Sequence, residues 1–211
     1  MESNPCPLCS GASFSFYIQK QREFLQCSYC LSVFNAPMHY LTPQQEKAHY
    51  ECHNNNPEDT EYQNFVSPVI NAVLRDFSPE HSGLDFGSGT GSPVVKVLHN
   101  NNYNIDQYDI YFHNNSELFK KQYNYITCTE VIEHFKQPYK EFKLLRSLLL
   151  PGGKLYLMTE IFEEAKDFSS WYYKNDPTHI FLYHPKVFEW ISKEFGFRKV
   201  TIDKRFITLE L

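Results

Sequence analysis

Long apolar runs and surplus positive charge are both missing from this sequence. No stretch approaches the roughly 18 consecutive apolar residues that a membrane-spanning helix needs. The formal net charge is −5, which gives no support to a phosphate-binding surface, so we do not expect nucleic acid as a partner. The segment from Met1 to Cys6 lacks the charged and apolar parts of a signal sequence. We therefore expect a cytoplasmic protein.

Glycine is scarce, with 8 residues in 211, whereas aromatic residues make up 17% of the chain. Aromatic rings fill cores and also line pockets for planar or apolar ligands. The apolar share of 42% is enough for a sizeable core, and a charged share of 21% is too low for a disordered chain. The length suits one core domain with a small appendage.

Composition divides the chain into three predicted parts. Residues 1–40 hold four cysteines and two short β-like runs, at 14–18 and 23–26. Residues 41–80 are polar at first and then amphipathic, and we expect connector and lid helices there. Residues 81–211 alternate strands with helices, which predicts an α/β domain with a mostly parallel sheet covered on both faces.

The predicted elements follow hydrophobic periodicity and punctuation by proline or glycine. The predicted strands of the third part are 83–86, 103–110, 125–129, 154–159, 198–202 and 205–211. The predicted helices are 42–50, 65–77, 92–100, 138–149 and 185–195. The last two strands are expected to pair as an antiparallel hairpin. Ligands of such sheets bind at the carboxyl ends of the strands.

Three glycines stand at alternate positions after the strand at 83–86, namely Gly87, Gly89 and Gly91. Glycine permits positive φ angles and a close approach of ligand to backbone, and the next helix offers free N–H groups. A dinucleotide-binding loop would place its third glycine at the position of Ser92. Asp85 instead precedes this loop, and a carboxylate there suits an ammonium group such as that of S-adenosylmethionine (SAM).

Asp109 ends the second predicted strand of the domain. A carboxylate at that place can accept hydrogen bonds from ribose hydroxyls, in SAM and in NAD alike. The alternative is that the glycines only form a tight turn between a strand and a helix. The acid before the loop, the flanking elements and Asp109 together favour a ligand-binding loop.

Two C-x-x-C pairs lie in the first part: Cys6, Cys9, Cys27 and Cys30. Their spacing is typical of a tetrahedral four-cysteine zinc site in which each pair sits on a tight turn. A piece this small has too little core to fold without metal. A redox pair would need only one motif, and a closed site leaves no open position for catalysis. We therefore predict a structural zinc ribbon, the alternatives being a redox centre or a nucleic-acid-binding finger.

The remaining cysteines, Cys52 and Cys128, are expected to be ordinary buried thiols. Three histidines, His39, His49 and His53, follow the ribbon and would offer a substitute metal ligand. Four thiolates already complete a tetrahedral zinc site, so no such substitute is needed.

Two further segments resemble motifs of class I SAM-dependent methyltransferases, especially those akin to ubiquinone-biosynthesis O-methyltransferases. Residues 127–135, TCTEVIEHF, resemble the E-V-[LI]-E-H motif that follows strand four of that family. Residues 149–155, LLPGGKL, resemble its L-K-P-G-G-x-L turn before strand five. With the loop at 84–91, the resemblance covers roughly 83–211 in order.

The resemblance implies a Rossmann-like sheet with strand order 3-2-1-4-5-7-6, strand seven being antiparallel, and SAM as methyl donor. It also implies roles for eight residues. The methionine end of SAM would contact Asp85, Gly87, Gly89 and Gly91. The ribose would contact Asp109, and the sulfonium would contact Cys128 and Thr129, with Glu130 nearby.

This sequence departs from the family after Asp109. Residues 110–124 leave room for little more than one short helix, where relatives fit a helix, a third strand and an adenine-contacting acid. We therefore expect strand three to be absent or vestigial. Tyr111 and Phe112 could stack on the adenine instead.

The segment 171–179, WYYKNDPTH, resembles one found between strand five and the last helix in a subset of these enzymes. Asp176 and His179 could form an acid–base pair that takes a proton from a hydroxyl nucleophile. Alternatively, Asp176 caps a turn and His179 binds backbone. We expect His134 to be structural, and Glu130 and Glu133 have the alternative role of favouring a helix N-terminus.

The polar segment before the third part has two interpretations. It could cover the cofactor as a lid, with Tyr50, His53 and Tyr62 facing it. It could equally be a solvated linker.

These observations favour a SAM-dependent methyltransferase that acts on a small molecule. Two alternatives remain. One is a ribosomal RNA methyltransferase, because some of these carry an N-terminal four-cysteine zinc module, although the acidic charge balance disfavours it. The other is a non-catalytic SAM-binding protein that uses the zinc ribbon as a docking module, which the intact glycine loop disfavours.

Overall fold

The computed structural model describes residues 4–52 and 56–211. Its strands are β1 (Ser13–Gln19), β2 (Arg22–Cys27), β3 (Val33–Asn35), β4 (Ser82–Phe86), β5 (Asn104–Tyr108), β6 (Tyr123–Thr129), β7 (Leu149–Met158), β8 (Phe181–Leu182), β9 (Lys199–Asp203) and β10 (Phe206–Glu210). Its α-helices are α1 (Pro43–Glu51), α2 (Thr60–Phe65), α3 (Ser67–Asp76), α4 (Pro93–Asn100), α5 (Pro138–Ser147) and α6 (Pro185–Phe195). No helix in these two ranges is long and apolar enough to cross a bilayer.

The larger sheet has six strands in the order β5-β4-β6-β7-β10-β9. The first four are parallel to one another, and β10 lies antiparallel between β7 and β9. This confirms the predicted α/β fold and its closing hairpin. Residues 109–122 contain one short 3-10 helix, Ser116–Lys120, and no strand of this sheet, so strand three is absent, one of the two outcomes we expected.

Helices cover both faces of the larger sheet because its strands are apolar on both sides. Side chains of α3 and α4 pack with Tyr125 of β6 and Tyr156 of β7. Side chains of α5 and α6 pack with the adjacent residues Ile126 and Leu155, which point to the opposite face. Gly196 ends α6 in the left-handed conformation at φ 73°, as its position predicts.

Strand β7 starts earlier than predicted. We expected Pro151-Gly152-Gly153 to separate a helix from a strand at 154–159. The observed strand begins at Leu149 because that residue already pairs with Tyr123. The pairing then jumps to Tyr125 and Lys154, so the proline and glycines form an irregularity within the strand.

The smaller sheet has the order β1-β2-β3-β8. Cys27 ends β2, Cys30 lies in the turn before β3, and Cys6 and Cys9 precede β1; we refer to residues 4–36 as the ribbon. The fourth strand comes from the C-terminal part of the chain, where Phe34 pairs with Phe181 and Val33 with Leu182. Only β1 and β2 were predicted, since β3 and β8 have three and two residues and are too short to show alternation.

Asp76, at the end of α3, ties that helix to β7. Its carboxylate accepts hydrogen bonds from Lys154 Nζ at 2.8 Å, Tyr156 Oη at 2.7 Å and Arg75 Nε at 2.7 Å. Burial opposes ionisation, but these three donors outweigh it and hold the pKa of Asp76 well below its usual range. The ionised carboxylate of Asp76 therefore stabilises the fold.

We expect Asp76→Asn to lower the free energy of unfolding at pH 7 by about 1–3 kcal/mol. Because the folded pKa is depressed, this contribution is present above the unfolded pKa of about 3.9 and is lost as the pH falls below it. Urea unfolding at pH 7 and pH 3 should show the difference between variant and parent shrinking in acid. Asp203→Asn, on an exposed residue of β9, is the control. A difference that does not change with pH would contradict the assignment.

Candidate functional site

A cavity of about 460 Å³ opens at the carboxyl ends of β4, β5 and β6. Its walls include Gly87 after β4, Asp109 after β5 and Thr129 at the end of β6. This is the place where parallel α/β sheets bind ligands, because the strand ends and helix N-termini converge there.

The glycine loop forms one wall of this cavity. Gly87 and Gly89 have φ angles of 84° and 59°, a region that glycine adopts at no steric cost. The amides of Gly87 and Ser88 donate to the Tyr108 carbonyl at 2.7 and 3.0 Å, which joins the loop to the end of β5. A Cβ on Gly87 would lie 2.5 Å from Val131 Cγ2, so only glycine fits.

Asp109 is held rigidly beside the loop. Its Oδ2 accepts from the Gly89 amide at 3.0 Å, and its Oδ1 accepts from the amides of Tyr111 and Phe112 at 2.8 and 3.1 Å. A carboxylate has about four acceptor sites, so about one remains for a ligand hydroxyl.

Asp85 lines a smaller cavity of about 20 Å³ that adjoins the first and shares Gly87, Gly91 and Thr129 with it. Its carboxylate is 3% exposed and accepts a hydrogen bond from Thr127 Oγ1 at 2.6 Å. Burial raises the pKa of Asp85. A cationic ligand group in the small cavity would reverse that effect.

Three buried side-chain atoms at these cavities have no hydrogen-bond partner among the described residues. They are Ser88 Oγ, Thr129 Oγ1 and Glu130 Oε1. Buried polar groups are almost always paired, so orphaned atoms that face a cavity indicate a polar ligand.

Thr129 and Glu130 line the large cavity, whereas the side chain of Cys128 is fully buried and lines neither cavity. The backbone of Glu130 has a φ of 52°, in the left-handed region that non-glycine residues rarely adopt. Its Oε2 accepts from Arg205 Nη2 at 2.9 Å. Burial and the neighbouring Glu133 raise the pKa of Glu130 to about 8.

His134 and His179 line the cavity at what we call the acceptor end. Their rings lie 4.9 Å apart, and each Nδ1–H donates to a backbone carbonyl, that of Thr178 at 2.9 Å and that of Tyr173 at 2.7 Å. Burial lowers the pKa of His134, and burial together with His134 lowers that of His179 to about 3. Both rings are therefore neutral near pH 7, and each Nε2 carries a lone pair.

Glu133 lies beside the two histidines and is fully buried. It accepts hydrogen bonds from Tyr173 Oη and, at 3.1 Å, from Thr159 Oγ1. Ligand atoms of Glu133, His134 and His179 lie within 4.8 Å of one another, so these three could hold a metal ion. Glu133 also lies in the first turn of a short 3-10 helix, Ile132–His134, which agrees with its alternative role at a helix N-terminus. Sequence reasoning missed the cluster because its residues come from separate segments of the chain.

Asp176 does not line the cavity. Its Oδ1 accepts hydrogen bonds from the Thr178 amide at 2.8 Å and from the Thr178 hydroxyl at 2.5 Å. This arrangement corresponds to the alternative interpretation, in which Asp176 caps a turn. Its Oδ2 lies 3.1 Å from His49 Nε2 and 3.9 Å from His179 Nε2. The second distance exceeds a hydrogen bond.

Helices α1 and α2 lie against one side of the cavity. Tyr50 of α1 and Tyr62 of α2 both line it. Glu46 of α1 holds that helix in place by accepting hydrogen bonds from Tyr111 Oη at 2.7 Å and Lys136 Nζ at 2.8 Å. His53, the third residue predicted to face the cofactor, lies outside the described residues.

The four ribbon cysteines converge. Cys6 Sγ lies 3.8 Å from Cys30 Sγ, Cys9 Sγ lies 3.5 Å from Cys27 Sγ, and the four sulfur atoms are within 4.8 Å of one another.

The two leftover cysteines differ in environment. Cys128 is buried as expected, but Cys52 is exposed, so that expectation was wrong. Cys52 follows the last turn of α1, at the end of that helix, where its thiol stays open to solvent.

Comparison with known proteins places this site in context. A family model described as a methyltransferase domain matches residues 59–202, which is more than half of the chain. No protein of curated function matches the sequence.

Several solved structures share the fold. A SAM-dependent methyltransferase from Archaeoglobus fulgidus has a TM-score of 0.57 and 16% identity, over 71% of this chain and 94% of its own. The 1,6-didemethyltoxoflavin-N1-methyltransferase of Burkholderia thailandensis has a TM-score of 0.55 and 12% identity, over 93% and 98%. An O-methyltransferase family protein from Burkholderia thailandensis has a TM-score of 0.55 and 11% identity, over 78% of this chain and 61% of its own length. The chain belongs to the methyltransferase domain family.

Proposed function

We propose that this protein transfers the methyl group of SAM to a hydroxyl group of a small-molecule acceptor. The observation that carries the proposal is the cavity of about 460 Å³ that joins the glycine loop to the paired histidines. One end offers the contacts that a nucleoside needs, and the other offers neutral imidazole nitrogens to a hydroxyl.

We call the end of the cavity that carries the glycine loop and Asp109 the donor end, and SAM fits it by the chemistry of the groups there. The ammonium group suits Asp85, whose buried carboxylate lacks a cationic partner among the described residues. A ribose hydroxyl would donate to the remaining acceptor site of Asp109. The orphaned hydroxyls of Ser88 and Thr129 would gain partners from the methionine portion. Cys128 would contact the sulfonium only through its backbone, because its side chain is buried.

The adenine would lie where strand three is missing. Phe119 sits on the short 3-10 helix of that segment, lines the cavity and contacts Tyr108 with a ring-centroid distance of 4.6 Å. Tyr111 and Phe112 line the same cavity. Together these rings supply the apolar surface that a purine requires.

At the acceptor end, His179 is the residue that we assign to the reacting hydroxyl. The acceptor oxygen attacks the methyl carbon, the carbon–sulfur bond breaks, and S-adenosylhomocysteine leaves as a neutral thioether. The hydroxyl donates a hydrogen bond to His179 Nε2 and, because the pKa of that imidazole is lowered to about 3, the proton passes on to solvent as the oxygen–carbon bond forms. Aligning the two reactants is the main contribution to rate, worth roughly 7–11 kcal/mol. Asp176 acts by shaping the turn that carries His179.

The acceptor end also fits a divalent cation, held by Glu133, His134 and His179. Each histidine donates its Nδ1–H to a carbonyl, the arrangement that leaves Nε2 free to ligate metal. A cation there would polarise the acceptor oxygen as a Lewis acid. His179 would then be a ligand in place of a hydrogen-bond acceptor, and the effect of a chelator on transfer distinguishes the two.

We propose that the four ribbon cysteines hold a structural zinc ion. Sulfur atoms at about 2.3 Å from one tetrahedral ion are about 3.8 Å apart, close to the separations in the ribbon. Four thiolates close the coordination sphere, so this ion would not take part in the reaction.

Calorimetry with SAM and S-adenosylhomocysteine tests the proposal. We expect both to bind the wild-type protein, and Asp109→Asn to weaken binding by roughly tenfold or more, since a charged acceptor is lost. Asp106→Asn is the matched control, because Asp106 lies on β5, close before Asp109 in the chain, but does not line the cavity. Failure of the wild-type protein to bind either compound at millimolar concentration would overturn the proposal. Transfer of labelled methyl from SAM to a panel of phenols and alcohols then tests the acceptor class.

A further inference from the structure

We propose that Arg22 of the ribbon is a positioning residue for the acceptor end, and that it acts by holding the turn that carries His179. The effect on catalysis rests on the proposed function. The positioning itself is a property of the folded chain and can be measured without any substrate.

The first link is backbone pairing between the ribbon and the segment after His179. The amide of Asn35, at the end of β3, donates to the Ile180 carbonyl at 2.9 Å. The amide of Ile180 donates to the Glu133 carbonyl at 2.9 Å. The residue next to His179 is thus fixed from two sides, by the ribbon and by the loop after β6.

The second link is the guanidinium of Arg22. It approaches the Asp176 carbonyl with Nη1 at 3.3 Å and Nη2 at 3.4 Å, and Nη2 lies 3.5 Å from the His179 carbonyl. These two carbonyls belong to the first and last residues of one turn, in which the His179 amide donates to the Asp176 carbonyl at 3.3 Å. Each contact is long, but a single cation spans both carbonyls of the turn.

Arg22 is itself held in place. Its guanidinium carbon lies 4.9 Å from the centroid of the Phe24 ring, and Phe24 is fully buried. Asn35 adds to the hold on the turn, because its side-chain amide is buried and lies 3.5 Å from the His179 carbonyl. The ribbon therefore contacts the turn through rigid groups.

The third link is from the turn to the cavity. The His179 ring is tied by Nδ1 to the Tyr173 carbonyl at 2.7 Å, so its remaining freedom is set by its own backbone. Movement of the turn would carry Nε2 away from the acceptor. A misplacement of about 1 Å can cost roughly 100-fold in rate, so a residue that never touches substrate can control turnover.

The test compares Arg22→Ala with Arg22→Lys and Gln19→Ala in the full chain. Gln19 is the matched control, because its Nε2 bridges the same interface to Asn175 Oδ1 at 3.1 Å without reaching the turn carbonyls. Two readouts are used: the ring ¹H–¹³C resonance of His179, assigned with His179→Gln, and the affinity for S-adenosylhomocysteine.

We expect Arg22→Ala to shift the His179 resonance, with Arg22→Lys intermediate and Gln19→Ala unchanged. Affinity for S-adenosylhomocysteine should stay within about twofold, and where transfer is measurable kcat should fall roughly 10- to 100-fold. An unmoved His179 resonance in a folded Arg22→Ala protein overturns the positioning role, as does an equal shift in Gln19→Ala. A shifted resonance without any methyl transfer would instead leave positioning intact and contradict the proposed function.

Discussion

Gly87→Ala is expected to weaken cofactor binding severely while leaving the protein folded. The added Cβ would meet Val131 Cγ2 at 2.5 Å and Cγ1 at 2.6 Å, distances that real Cβ atoms do not tolerate. The φ of 84° adds roughly 1–2 kcal/mol of strain for any residue with a Cβ. The loop must therefore move, and its amides with it. We expect affinity for S-adenosylhomocysteine to fall at least about 100-fold by calorimetry.

The chain offers a close control for this substitution. Gly152 has a similar φ of 77°, but nothing lies within 4 Å of the position its Cβ would take. Gly152→Ala should therefore cost stability through backbone strain alone and leave cofactor affinity unchanged. Adding Val131→Ala to Gly87→Ala should recover part of the affinity, because it removes the contacting methyl groups. If Gly87→Ala and the wild-type protein bound S-adenosylhomocysteine with equal affinity, the loop would not require glycine at this position.

Cys30→Ser is expected to remove zinc and to destabilise the large sheet as well as the ribbon. Structural zinc contributes roughly 10–16 kcal/mol to small domains that depend on it, so one lost thiolate should largely empty the site. Cys6, Cys27 and Cys30 belong to the same hydrophobic cluster as Leu84 of β4, which makes the ribbon core continuous with that of the large sheet. We expect about one zinc per wild-type chain and a melting temperature lower by many degrees in the variant.

Cys52→Ser is the control for the loss of a thiol, since Cys52 is exposed and lies outside the cluster. It should keep the zinc content and melting temperature of the wild-type protein. Metal analysis of protein purified without chelator, followed by thermal melts, tests whether the ribbon holds a structural metal. Wild-type protein without bound metal, together with an unchanged melting temperature in Cys30→Ser, would rule out a structural metal.

The glycine loop that lines the cavity could be predicted from sequence because its determinants are local. Gly87, Gly89 and Asp85 lie within a few residues of one strand end, and their spacing reflects backbone geometry that only certain residue types allow. The length of 110–124, compared with the same segment in the family that the chain resembles, likewise predicted that strand three is absent or vestigial. Local patterns of this kind can be interpreted without knowing which distant segments pack together.

The acceptor end could not be predicted, because it is assembled from separate segments. Glu133 and His179 meet only when β6 and β8 have taken their places, and β8 has two residues without a recognisable pattern. Of the two interpretations of Asp176 and His179, the acid–base pair assumed that two residues close in sequence face each other. In the structure, Asp176 instead turns to His49 of α1, a contact that no local spacing indicates.

The missing third strand has a further consequence, for solubility. Without it β5 is an edge of the larger sheet, and an edge strand offers unpaired backbone groups to any other strand that approaches. Asp106 of β5 is paired with Lys121 at 2.8 Å, and Phe119 packs on Tyr108, so the segment that replaces the strand also guards its edge. The loop from 110 to 122 thus has to satisfy two constraints, closing the proposed nucleoside pocket on one side and protecting the edge of the sheet from pairing with another strand on the other.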